Sequence, residues 1–79
     1  MKDFTLIPLC QLPMGRKGRV IKISTKGKER RRLLDLGLVS NTNVVALQKS
    51  PSGDPTAYQI RGAVIALREE DAFNVLIEL

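Results

Sequence analysis

A nucleophile needs a base beside it. This chain has one cysteine, Cys10, and no histidine, so a Cys–His arrangement cannot be assembled from it. The commonest general base and the commonest metal ligand are absent together. Cys10 therefore reads as a small core hydrophobe. The run Glu69-Glu70-Asp71 is the next place to look, for a divalent cation. Consecutive carboxylates on a helical turn point in different directions, and acidic residues at a helix start are accounted for by the helix dipole. GRKG, residues 15–18, has glycines but neither the spacing nor the GK[ST] ending of a phosphate loop. It reads as a turn, and so does SGDP (52–55). No catalytic constellation remains. The expectation is a chain that is not an enzyme, carries no cofactor and holds no metal tightly.

The one chemical oddity is GKERRRLLDLGL, residues 27–38. Lys26, Lys28, Arg30, Arg31 and Arg32 crowd the first half of a short helix, with only Glu29 opposing. Cations at a helix N-terminus and like charges on neighbouring turns cost about 1 kcal/mol in sum, which a fold tolerates. Three readings compete: a solvated face with arginine stems lying over leucines, a grip for an acidic protein surface, or a nucleic-acid contact. The net charge of +5 and pI near 9.9 favour anionic partners without choosing among them. Aromatic residues are few: Tyr58, Phe4 and Phe73, with no Trp. Barrels that read unpaired bases stack them on two or three rings, and here only Tyr58 and Phe73 could serve. Nucleic acid is thereby disfavoured. Proline-rich peptides are disfavoured on the same ground.

The elements that must position these residues follow from the turn signals. Pro8 and Pro13 keep residues 5–15 extended and turn-like, with Leu6, Leu9 and Leu12 pinning the segment to the core. MGRKG (14–18) turns into RVIKIS (19–24), a β-branched run that reads as the first strand. Residues 28–36 form the helix, capped by Gly27 or Thr25 without a capping box. It stops at Gly37, with Leu38 folding back on Leu33. TNVVALQKS (42–50) is a strand, SPSGDP (50–55) a loop, and TAYQI (56–60) and AVIAL (63–67) a hairpin turning at Arg61-Gly62. REEDA (68–72) is a helical turn and FNVLIEL (73–79) the last strand. The 79 residues suffice for one domain. The fold class is mainly all-β: a small five-stranded barrel, with one short α-helix after the first strand and a helical turn before the last. Periodicity alone leaves SH3 and OB types both open. No apolar run reaches the roughly 18–20 residues of a membrane span, and a lone cysteine suits a reducing compartment. The expected location is the cytoplasm.

Several stretches, in this order, resemble the FeoA family: TLIPLCQLPMGRKGRVIKI (5–23), RRLLDLGL (31–38), NTNVVALQKSPSGDP (41–55) and YQIRGAVIALREEDAFNVLIEL (58–79). Each motif is short and structural; their ordered combination is specific. The resemblance covers nearly the whole chain. It implies an SH3-like barrel acting as an accessory of ferrous iron uptake through protein contact, associated with transition metals but not an iron carrier. The implied partner is FeoB, a membrane transporter with a cytoplasmic GTP-binding domain, which would hold the chain peripherally at the inner membrane without insertion. A similar barrel ends the iron-dependent repressors of the DtxR type, so a module of such a regulator system is an alternative. This chain has no room for their DNA-binding part. The residues expected to meet a partner are Lys28, Arg30, Arg31 and Arg32, with the loop Ser50, Pro51, Ser52, Gly53, Asp54 and Pro55. Leu33, Gly37 and Leu38 form the structural helix stop. An unpaired strand edge would also allow a homo-oligomer.

Overall fold

β-Branched and apolar runs separated by glycine, proline and asparagine dictate short strands. The computed structural model, which describes residues 6–79, contains six of them: β1 (Leu6–Pro8), β2 (Lys17–Ile23), β3 (Asn43–Lys49), β4 (Thr56–Ile60), β5 (Ala63–Leu67) and β6 (Val75–Glu78). A 3-10 turn, Leu9–Gln11, follows β1; helix α1, Gly27–Asp35, follows β2; and α2, Glu69–Ala72, precedes β6. All strands pair antiparallel in one sheet of order β1-β6-β2-β3-β4-β5.

The expected strand count of five is corrected to six. β1 pairs with β6 through Leu6↔Glu78, Ile7↔Ile77 and Pro8↔Leu76. A three-residue strand ending in proline shows no alternation, and an edge is where a strand tolerates a missing N–H donor. Leu9 and Leu12 are buried as expected, but Leu6 is 41% exposed and does not anchor the core. The final strand starts two residues later than FNVLIEL suggests. Phe73 and Asn74 close α2, with the Phe73 amide donating to Glu69 O and the Asn74 amide to Asp71 O. Phe73 is left 59% exposed.

The core is aliphatic around one ring. Leu9, Val20, Leu33, Val44, Ile60 and Ile77 surround Tyr58, the largest fully buried side chain. Its hydroxyl donates to the Leu9 carbonyl at 3.4 Å, tying β4 to the turn after β1. A register shift in β2 between Val20 and Lys22 and another in β3 between Ala46 and Gln48 bend the sheet, as bulges do.

α1 buries Leu33 alone. Its N-cap is Lys26, extended and with no side-chain cap bond, so neither Gly27 nor Thr25 caps it. At the other end Gly37, at φ +103, donates to Leu34 O and the Leu38 amide donates to Leu33 O. These are the paired bonds of a left-handed helix stop, and Leu33 and Leu38 are both fully buried.

Gly18 is required by crowding, not by its backbone angle. A Cβ there would lie 2.6 Å from Cδ1 of Ile77 and 3.4 Å from the Glu78 carbonyl oxygen. Ile77 is fully buried, so its side chain has little room to retreat. Gly18→Ala should cost about 1–3 kcal/mol by overpacking, read as a lower urea midpoint at unchanged slope.

Candidate protein-docking surface

α1 presents its charge because only one of its nine residues faces inward. Lys28, Arg30 and Arg31 are exposed and form no ion pair among the described residues. Arg32 differs. Its Nη2 reaches Asp71 Oδ1 at 2.6 Å, so it joins α1 to α2. Of the four basic residues expected to meet a partner, Arg32 alone is engaged in an ion pair among the described residues.

The 50–55 loop is tied to itself and to α2. The Ser50 amide donates to Pro55 O at 3.0 Å, the Gly53 amide to Ser50 O at 2.8 Å, and the Ser52 hydroxyl to Asp54 O at 3.1 Å. Pro51, Ser52 and Gly53 are exposed; Ser50, Asp54 and Pro55 are half-buried. Asp54 Oδ1 accepts from the Glu69 amide at 2.8 Å, and Arg68 lies 3.7 Å from its other oxygen. Asp54 thus caps α2 from outside it.

The helix face and the loop do not merge into one positive patch. Among the described residues no hydrogen bond or ion pair joins them directly; both are bonded to α2, which carries Glu69, Glu70 and Asp71. A shallow recess of about 480 Å³, lined by Asp54, Glu69, Glu70 and Phe73, lies on this acidic side. Sequence reasoning missed it because Phe73 was placed inside a strand. A second recess of about 250 Å³ between β2, β3 and β6 is lined by Lys17, Arg19, Asn43 and Glu78 among others. There Arg19 is bound by Glu78 at 2.7 Å.

Tyr58, one of two rings that could have stacked on bases, is 1% exposed and cannot do so. Cys10 is half-buried against the core. Burial first, then the Glu69 carboxylate, pushes its thiol pKa up, against the direction of an activated cysteine. Iodoacetamide should label Cys10 several-fold more slowly in the native protein than in urea; equal rates would contradict its placement. No group of three or more His, Cys, Asp and Glu side chains comes together as a metal site among the described residues. No helix among the described residues is long and apolar enough to cross a membrane.

The model of the FeoA domain matches residues 7–79. The chain belongs to the FeoA family. An FeoA-like protein from Clostridium acetobutylicum, known from its solution structure, is 34% identical with a TM-score of 0.87, over 100% of this chain and 90% of that one. FeoA from Stenotrophomonas maltophilia, described as a prokaryotic SH3 domain protein and solved with zinc, is 29% identical with a TM-score of 0.79, over 87% and 86% of the two chains. The barrel is therefore of SH3 rather than OB type. The zinc belongs to that relative. A curated relative, the Fe(2+) transport protein A/Fe(2+) transporter FeoB fusion protein of Porphyromonas gingivalis, is 31% identical over 71 residues. That match covers 90% of this FeoA-family chain and 8% of the fusion protein.

Proposed function

We propose that this FeoA-family barrel is a non-enzymatic accessory of ferrous iron uptake that docks on the cytoplasmic part of an FeoB-type transporter. The observation that carries this reading is the Porphyromonas gingivalis relative, in which an FeoA-like segment and FeoB share one polypeptide. Covalent linkage keeps two modules at high effective concentration, which suits partners that act together. The free cations Lys28, Arg30 and Arg31 supply the steering charge, and the rigid 50–55 loop supplies backbone groups held in place by a folded scaffold. Iron is cargo of the transporter in this reading, so the barrel needs no ligand cluster of its own.

The test is an NMR titration of labelled protein with the cytoplasmic region of the transporter encoded beside it, with a short DNA duplex in parallel. Shifts in α1 and residues 50–55 with the transporter alone are expected. Shifts elsewhere would move the docking site, and shifts with DNA alone, falling steeply with salt, would replace the proposal by nucleic-acid binding.

A further inference from the structure

The sheet has two edges, and they differ. β1 is three residues long and ends in Pro8, which has no N–H to offer. Short length and proline are two of the ways by which proteins blunt an edge. β5 reads AVIAL and has none of these protections: no proline, no charge and no bulge in its pairing with β4.

The hairpin turn fixes which backbone groups β5 leaves open. Arg61 and Gly62 have φ of 52° and 85°, the two-residue turn that makes Ile60↔Ala63 a hydrogen-bonded pair. Alternation then makes Tyr58↔Ile65 and Thr56↔Leu67 the other bonded pairs. Ala63, Ile65 and Leu67 direct their N–H and C=O groups to β4. Val64 and Ala66 direct theirs away from the sheet, and these backbone groups meet no other backbone partner among the described residues. Val64 is 66% exposed, the highest value among the large exposed apolar side chains described.

We infer that β5 pairs antiparallel with β5 of a second copy of this chain, related by a two-fold axis at Ile65. This register sets Val64 opposite Ala66 of the other copy, twice, so the four open groups on each edge satisfy one another. The charges at the strand ends select a copy over other strands. Arg61, at the turn end, is exposed and forms no ion pair among the described residues. The far end carries Glu69 and Glu70 beyond Arg68, whose charge Asp54 answers. Antiparallel pairing about Ile65 places the Arg61 end of each copy at the Glu69 end of the other. A parallel arrangement would instead bring like charges together. The pairing surface is one strand wide, so the association is a weak one. It is independent of the docking reading, since neither α1 nor the 50–55 loop takes part.

Sedimentation equilibrium over a series from micromolar to millimolar should show a monomer passing to a dimer. Val64→Pro removes an outward N–H that β4 does not use, so it should abolish the dimer and leave the circular dichroism spectrum unchanged. Arg61→Glu should weaken the dimer about tenfold, and Arg61→Glu with Glu69→Arg should restore it; this pair decides the question if the proline variant folds poorly. A monomer at every concentration, a dimer indifferent to Val64→Pro in a folded variant, or one indifferent to Arg61→Glu overturns the inference.

Discussion

Tyr58→Ala should remove a large share of the protein's stability, at least about a quarter of it, at room temperature. Removing a fully buried aromatic side chain costs about 3–5 kcal/mol through lost transfer energy and the cavity left behind. A domain of this length has roughly 4–12 kcal/mol in hand. Neither neighbouring strand can collapse into the gap without breaking its ladder, because Tyr58 is paired with Ala46 on one side and Ile65 on the other. Tyr58→Phe separates the ring from the hydroxyl. It keeps the volume and removes one of two donors to the Leu9 carbonyl, which the Leu12 amide still reaches at 3.0 Å, at about 0.5–1 kcal/mol.

The same pair of proteins gives a pH test. Burial holds the Tyr58 phenol pKa above its ordinary value, near 10. The unfolded state therefore releases this proton first as pH rises. The contribution is intact below about pH 10 and is lost as pH climbs toward the folded-state value. Urea midpoints of the parent should fall more steeply above pH 10 than those of Tyr58→Phe. Parallel slopes would mean that the hydroxyl is not sealed in the core.

Under the docking proposed above, reversing the exposed cations of α1 should have the largest effect. Lys28→Glu, Arg30→Glu and Arg31→Glu together should weaken binding to the transporter's cytoplasmic region by about a hundredfold, and Arg31→Glu alone by about tenfold, mostly through association rate and less so at high salt. Thermal stability should move by no more than about 0.5 kcal/mol, since these side chains are exposed and form no ion pair among the described residues. Arg32→Glu is the contrasting variant. It breaks the contact with Asp71, a half-exposed pair worth about 0–1 kcal/mol, and should loosen α1 against α2. Equal binding by the triple variant and the parent would remove α1 from the docking surface.

The strands from β2 onward could be read from the chain because each is a β-branched run bounded by turn residues, and Arg61-Gly62 names its own turn. The helix stop at Gly37 was legible because a glycine follows the leucine run where a left-handed stop needs a positive φ. β1 was not, since three residues around a proline carry no period. The direction of Tyr58 could not be read from a lone ring in an alternating strand. The partition of the basic run was also hidden. Arg30, Arg31 and Arg32 are alike in sequence, and only the meeting of positions 32 and 71, 39 residues apart, separates one from the others. Asp54 looked like turn chemistry, and its second task at the start of α2 depends on a contact 15 residues away.

The register of the first and last strands has a consequence for how such a barrel is attached to anything else. Leu6 lies directly across from Glu78, so the polypeptide enters and leaves at adjoining points. Ends that lie together let a domain be appended, prefixed or inserted with little disturbance. A connection made through the start of β1 or through the end of β6 therefore reaches the barrel at the same place.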